Sequence, residues 1–275
     1  MNRSTALLSI NLSCFFAGLL MFDLAVPCGA AVGGSLPEAA AVMKRVVQRA
    51  EQVARGAEEG KYVYEKRSVV EELDDAGKAR KTTEKTYKVA LIRGLPLARL
   101  TKVQNRDLTE EEIRAEDRKE QELRNRVTGK DPQQMVKKKE NWLTPELVGR
   151  YDYKVEGRES VENRPMLVLS FQPKAGHNPD ETIPDRVLRR LAGRLWVDEA
   201  EAEVARVQAG LTEDLSLGWF GLIGSLKQCD LDLQKKRLED GGWVNAKQTL
   251  EIRGRKLFSR MRVRTLEESY NFKRP

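Results

Sequence analysis

The stretch 193–211 constrains the fold of this chain most, because two apolar runs there flank an acidic turn. The run Leu195-Trp196-Val197 precedes the turn at 198–201, and apolar and polar residues alternate after it. Side chains two apart on a strand share a face, so the pattern predicts two adjacent strands with one apolar side. We expect Trp196 to be buried, since an indole contributes a large contact area. In the second strand the apolar side is predicted to hold Ala205, Val207, Ala209 and Leu211, with Arg206 and Gln208 opposite.

Strand-like runs of the same kind occur before and after this stretch, separated by turns that contain glycine and aspartate. Alternation with one wet face is typical of an antiparallel sheet, whereas a parallel sheet is buried on both faces. The sequence therefore predicts a one-sided antiparallel sheet. Its further strands are expected at 62–70, 85–92, 98–103, 151–156, 166–172, 226–233, 243–252 and 257–263.

An amphipathic helix is predicted at 37–59, ahead of the sheet. Pro37 suits its first turn, and apolar residues then recur at spacings of three and four, which makes one apolar stripe. Such a stripe must pack on something, and the sheet is the nearest candidate. Shorter helices are predicted to begin at Thr144 and to cover 185–191.

A second long helix is predicted at about 109–127, as a charged insert between strands. Thr109 and Glu112 have the spacing of a capping box, and the residues that follow are almost all charged. This segment is interpreted as a solvated helix, with a charged docking arm as the alternative.

Residues 1–30 have the composition of a secretory signal peptide. Arg3 is followed by an apolar segment, which ends in the small-residue run 28–31. Cleavage after Ala30 would leave one domain at 31–275 and place the protein in the periplasm or cell envelope. The alternatives are an uncleaved membrane anchor and lipid attachment at Cys28.

The charge balance bears on the partners of the exported protein. The chain has 49 basic and 42 acidic residues, a net charge of +7, and removal of residues 1–30 leaves that charge unchanged. In an exported protein such an excess indicates an anionic lipid or an acidic partner surface, and not nucleic acid. Cys229 would be the only cysteine left, so no internal disulfide is possible.

No catalytic, cofactor-binding or metal site is predicted, and the chain is not expected to be an enzyme. His177 lies in a polar loop without an obvious partner, and Ser225 lacks the Gly-x-Ser-x-Gly frame of serine hydrolases. Cys229 is interpreted as a small buried hydrophobe. Asp230 and Asp232 share a strand face, but two carboxylates alone are a weak cation signal.

Three groups of residues are candidates for binding. The apolar sheet face is either ordinary core or the wall of a ligand cavity. The glycine-rich run 217–224 is either a lid over the open side of the sheet or a fixed plug, and an alternating arginine stripe is either a wet outer face or a contact for an anionic membrane surface. The apolar face comprises Leu167, Leu169, Phe171, Leu195, Val197, Val207, Leu231, Leu233, Leu250 and Ile252; the lid comprises Trp219, Phe220, Leu222 and Ile223; the stripe comprises Arg260, Arg262 and Arg264.

The order of these features resembles the outer-membrane lipoprotein-sorting superfamily, which includes LolA/LolB-like periplasmic lipoprotein carriers and related lipid-binding envelope proteins. The resemblance is carried by the leading helix, by the runs at 151–157, 163–165 and 168–173, and by 193–198. It implies an α+β fold in which an unclosed, strongly curved antiparallel barrel is covered by the N-terminal helix and short helices.

The resemblance also implies a function: a non-enzymatic periplasmic carrier that shields the acyl chains of a lipid or lipoprotein in an apolar cavity. The alternative is an envelope interaction or sensor module whose core is filled by its own side chains. The charged helix at 109–127 and the run 217–224 are not features of the best-known carriers.

Overall fold

The computed structural model describes residues 35–56, 62–93, 95–128, 143–175, 183–217, 224–256 and 259–275. The predicted signal peptide, the predicted lid residues Trp219, Phe220, Leu222 and Ile223, and His177 therefore lie outside the described residues. The helices of the described part are α1 (Ala39–Gly56), α2 (Glu110–Val127), α3 (Pro145–Val148) and α4 (Ile183–Leu188).

The strands form one antiparallel sheet, as the one-sided alternation predicts. The strand order is β4-β3-β2-β1-β12-β11-β10-β8-β7-β6-β5, with β9 paired to the first three residues of β10. Within the described residues β4 and β5 end the sheet and do not pair with each other, so the predicted α+β fold with an unclosed barrel is confirmed. The strands are β1 (Val63–Leu73), β2 (Ala79–Ile92), β3 (Leu95–Val103), β4 (Arg106–Asp107), β5 (Tyr151–Val161), β6 (Arg164–Pro173), β7 (Leu191–Asp198), β8 (Val204–Leu211), β9 (Leu215–Leu217), β10 (Gly224–Arg237), β11 (Trp243–Lys256) and β12 (Ser259–Lys273).

The stretch 193–211 is a β7–β8 hairpin, as predicted, with one local error in the assignment of faces. Leu195 lies opposite Val207 and Val197 lies opposite Val204, so β8 contains an extra residue between these pairs. This β-bulge reverses the alternation. Ala205 consequently packs with Trp196 on the other side of the sheet, and the prediction that it shares a face with Val207 is wrong.

Helix α1 lies on the face of the sheet that carries Leu169, Leu195 and Val207, which we call the inner face. Val42, Met43 and Val46 of the predicted apolar stripe are 1–3% exposed and form one buried cluster with side chains of β6, β7 and β8. The helix has one apolar stripe and the strands have one apolar face, and the two elements bury these apolar sides against each other.

The outer face carries a second, smaller core that accounts for Trp196. The indole is 5% exposed, which confirms its predicted burial, and it clusters with Met166, Val168, Ala205 and Trp243. Its Nε1 donates a hydrogen bond to Glu159 at 2.8 Å, and the Arg206 guanidinium lies 5.0 Å from the ring. The sheet is therefore apolar on both sides at this end, so the prediction that it has only one apolar face is wrong here.

Helix α2 is mostly exposed, as the interpretation of a solvated helix expects, and its capping box at Thr109 is confirmed, but one of its charged side chains is buried against the sheet. Glu116 is 4% exposed, and its carboxylate accepts a hydrogen bond from the backbone N–H of Leu100 in β3 at 3.0 Å. Lys119 pairs with the same carboxylate. A buried charge is tolerated when it is paired and hydrogen-bonded, so α2 docks on the sheet through a polar contact that an apolar pattern cannot reveal.

Several predicted boundaries also change, of which two have a clear cause in the strand pairing. The predicted helix at 185–191 ends at Leu188, because Leu191 already pairs with Leu211 as the start of β7. The last strand continues ten residues beyond Val263, to Lys273, since its second half pairs with β1. Among the described residues we find no helix with the length and apolar composition of a membrane span.

Candidate functional site

The predicted cavity residues lie in cross-strand rows on the inner face. One row joins Leu169, Leu195, Val207 and Leu233 across β6, β7, β8 and β10. The next row joins Phe171, Gly193, Ala209, Leu231 and Leu250 and reaches β11. Directly opposite residues of an antiparallel pair share a face. The alternation in sequence thus places all of these side chains on one side of the sheet.

Helix α1 covers part of this surface. Leu167, Leu169, Leu195 and Val197 are 0–6% exposed and belong to the cluster that contains the helix side chains. Phe171 and Val207 are partly buried at the margin of the same cluster, and Leu233 is 8% exposed. At this end of the inner face the protein's own helix occupies the space over the strands.

The remaining inner-face side chains on β10, β11 and β12 are only partly buried. Leu231 lies opposite Leu250, and Cys229 opposite Ile252, which in turn lies opposite Val263. These five residues, here called the apolar patch, are each of intermediate exposure and lie outside the cluster under α1. Burial raises the pKa of the Cys229 thiol, helped by the charge of Asp230, so the thiol stays protonated as a small hydrophobe.

An aromatic group stands between the helix-covered cluster and the free end of β6. The Tyr151 ring meets Phe171 edge-on at 5.5 Å between centroids, and Tyr153 lies 6.5 Å from Phe171. Burial raises the pKa of the Tyr151 phenol to about 12, while the charge of Arg150 acts in the opposite direction. Burial also raises the pKa of Tyr153. Both phenols are therefore neutral and behave as apolar surface with a polar tip.

The acidic turn after β7 is organised by the buried side chain of Asp198. Asp198 is 1% exposed; one carboxylate oxygen accepts from the Arg164 Nε at 2.6 Å and the other from the backbone N–H groups of Ala200 and Glu201. Burial pulls the pKa of Asp198 upward, but Arg164 and the two N–H donors more than offset it, so the pKa is lowered.

The rest of the turn holds neighbouring elements. Glu203 receives Arg49 of α1 at 3.1 Å and Lys235 of β10 at 2.6 Å. Arg45 of α1 donates to the carbonyl oxygens of Glu199 and Ala200. Sequence reasoning identified this turn but missed its role. The available signal was the pair Arg45 and Arg49, which are one helical turn apart beside the apolar stripe.

The predicted arginine stripe lies on the outer face and is paired with carboxylates. Arg262 and Arg264 both contact Glu251, at 2.7 and 3.0 Å, and Arg264 also reaches Glu71. Arg260, whose side chain is 83% exposed, contacts Asp75 at 3.2 Å. Much of the stripe's positive charge is thus balanced within the protein.

The carboxylates considered as cation ligands are engaged elsewhere. Asp232 binds the Arg206 guanidinium and accepts a hydrogen bond from Gln208 at 3.0 Å, while Asp230 accepts from Gln228. In the part of the chain that the structure describes, no group of three or more His, Cys, Asp or Glu side chains is arranged to hold a metal ion.

No family model and no curated protein matches the sequence. Several solved structures are similar, among them a domain from Vibrio parahaemolyticus described as outer membrane lipoprotein-sorting, with 9% identity, 84% of this chain and 93% of that chain covered, and a TM-score of 0.35. A LolA superfamily protein from Nitrosomonas europaea has 13% identity, coverages of 82% and 93%, and a TM-score of 0.28. A DUF1329 family protein from Desulfovibrio piger has 12% identity, coverages of 83% and 92%, and a TM-score of 0.26.

Two of these three descriptions name the superfamily that the sequence resembles. The similarity concerns the fold, whose antiparallel pairing is established by the strand register itself. Because the TM-scores are below 0.5, no cargo or partner of this chain is inferred from these proteins.

Proposed function

We propose that this protein is a non-enzymatic binder and carrier of acyl chains in the periplasm. The bound acyl chain lies on the inner face of the sheet, over the apolar patch. The observation that carries the proposal is the partial exposure of Leu231, Leu250 and Ile252, in register on adjacent strands. Exposed apolar surface that is contiguous, and not scattered, marks a binding site.

The chemistry of the patch suits an alkyl chain. The side chains are aliphatic or a neutral thiol, and the rows continue toward Phe171 through the small residues Gly193 and Ala209. Neighbouring strands are about 4.8 Å apart, so a row that crosses several strands offers an extended apolar track. An aliphatic surface binds an alkyl chain through contact area and not through hydrogen bonds, so the apolar track by itself does not select a headgroup.

A second candidate function has its own support. Leu167, Leu169, Leu195 and Val197 are already packed under α1, as expected for an interaction or sensor module that fills its own core. The two candidates differ in whether the apolar patch binds a ligand. The predicted lid residues and contact of Arg260, Arg262 and Arg264 with an anionic membrane stay predictions under either function.

A binding titration separates the candidates. The full chain, stripped of lipid, is titrated with a fluorescent fatty acid, and the double variant Leu231→Asn/Leu250→Asn is compared with the unchanged protein. Each substitution replaces apolar by polar surface and should reduce the binding free energy of the acyl chain by about 1–2 kcal/mol. The dissociation constant should therefore rise at least tenfold.

The matched control is Leu266→Asn. Leu266 lies on β12 between Thr249 and Val69, on the outer face, and is also partly buried. It should lose similar stability and keep the affinity for the fatty acid. If the folded, lipid-free protein binds no acylated ligand, the carrier is excluded and the self-filled module remains.

A further inference from the structure

A basic cleft lies at the end of the sheet opposite the acidic turn, where β6 ends and β7 begins. Its volume is about 170 Å³, and among the described residues it is lined by four cations and one carboxylate. The cations come from three separate segments: Arg150 before β5, Lys174 after β6, and Arg189 with Arg190 before β7. The carboxylate is Glu213, whose side chain is 64% exposed.

Hydrogen bonds and an ion pair fix the segment that carries Arg189 and Arg190. Arg190 donates from Nη1 to the carbonyl oxygen of Arg186 at 3.1 Å, and its Nε lies 2.9 Å from Glu213. The backbone carbonyl of Arg190 accepts the N–H of Thr212 at 2.7 Å. The Tyr151 hydroxyl donates to the carbonyl oxygen of Leu188, which fixes the segment that carries Arg189.

Two buried donors of the arginines that line the cleft make no hydrogen bond within the described residues, the Nε of Arg189 and the Nε of Arg190. The Nε of Arg190 still has Glu213 at 2.9 Å as an ion-pair partner, whereas no carboxylate is paired with the Nε of Arg189 among the described residues. Buried donors are nearly always satisfied, and an exception calls for an unseen acceptor such as an ion. The described lining has four cations and one carboxylate, which favours an anion, and a guanidinium pairs best with a planar or tetrahedral oxyanion.

The cleft adjoins the apolar inner face. Tyr151 lines the cleft with its ring against Phe171, which belongs to the same row as Leu231 and Leu250. Arg190 immediately precedes Leu191, which pairs with Leu211 at the start of β7. A charged site and an apolar track that share a border fit the two halves of one amphiphile.

We propose that this cleft binds the anionic headgroup, phosphate or carboxylate, of the amphiphile whose chain lies over the apolar patch. The inference rests on the proposed acyl-chain function and adds a selection for anionic over neutral cargo. Arg189, Lys174 and Arg150 supply the charge, and Tyr151 marks the boundary between headgroup and chain.

The test uses calorimetric titration of the full chain with three probes: dodecyl phosphate, dodecanol and inorganic phosphate. Dodecyl phosphate is expected to bind at least tenfold more tightly than dodecanol. Arg189→Gln should weaken the binding of dodecyl phosphate at least tenfold and change the affinity for dodecanol less than twofold. Lys174→Gln, at an exposed position where folding is not at risk, should act in the same direction.

Two further variants make the prediction specific. Glu213→Gln removes the carboxylate and should tighten dodecyl phosphate several-fold, a gain that a merely structural role would not produce. Arg260→Gln removes an equal charge from an exposed outer-face position and should leave all three affinities unchanged.

The outcomes separate this inference from the function on which it rests. Equal binding of dodecyl phosphate and dodecanol, insensitive to Arg189→Gln, overturns the headgroup site and leaves the acyl-chain binder intact. Binding of inorganic phosphate alone, lost in Arg189→Gln, shows a free-anion site and overturns both proposals. No binding of any probe by folded protein also overturns both.

Discussion

At the residue scale, Asp198 shows how a buried charge can organise a turn. The side chain is 1% exposed, yet Arg164 and two backbone N–H groups hold its pKa below its ordinary value of 3.8. A carboxylate with a lowered folded-state pKa contributes stability that is present above the unfolded pKa. That contribution is lost as the pH falls through the folded pKa.

Asp198→Asn should therefore lower the free energy of unfolding by about 2–3 kcal/mol at pH 7, because it leaves Arg164 without its buried partner. The loss should shrink as the pH falls below the unfolded-state pKa of 3.8 and through the lowered folded-state pKa, where the unchanged protein also loses the charge. Chemical denaturation between pH 2 and pH 7 measures both effects. Asp75→Asn, at an 81% exposed carboxylate, serves as control and should change stability little. A pH-independent difference would contradict this account.

At the element scale, the position of α1 depends on polar contacts as well as its apolar stripe. Arg45 and Arg49 join the helix to the acidic turn, about 150 residues further along the chain. Arg45→Ala/Arg49→Ala should therefore weaken the docking of α1 while the sheet stays folded. Amide hydrogen exchange in α1 is expected to speed up about tenfold or more, with β10–β12 unchanged.

The matched control is Lys44→Ala/Gln48→Ala, which removes two exposed polar side chains from the same helix. It should leave exchange in α1 as it is. Equal protection of α1 in both double variants would mean that the apolar stripe alone positions the helix.

The elements themselves were largely predictable from the sequence, because alternation and capping report local burial directly. The burial of Trp196 and the capping box at Thr109 are examples. The bulge at Ala205 was not, since one extra residue reverses the faces without disturbing composition. The docking of α2 through Glu116 was also missed, because a charged residue on a charged helix gives no sign of burial.

The candidate site was predictable in part for the same physical reasons. The period-2 pattern placed Leu169, Leu195 and Leu231 on one face, but the sequence gives no way to know which of them α1 covers. That depends on contacts distant in sequence. The basic cleft was missed because its cations lie on three segments that only the sheet brings together.

At the scale of the whole sheet, the residues that border the inner face differ between the two ends of β7 and β8. The acidic turn and α1 close one end, and the basic cleft with Arg189 and Arg190 lies at the other. Partly exposed aliphatic residues lie on the neighbouring strands β10, β11 and β12. Such an arrangement predicts a ligand with one charged end and one apolar chain, held in a single orientation.

Photochemical crosslinking tests this central claim most directly. The lipid-free chain is irradiated with a fatty acid that carries a diazirine at the end of its chain, and the adducts are mapped by peptide mass spectrometry. We expect adducts at Leu231, Leu250 or Ile252 that excess unlabelled fatty acid suppresses. Adducts confined to outer-face positions such as Leu266, or adducts that the competitor does not reduce, would contradict the account.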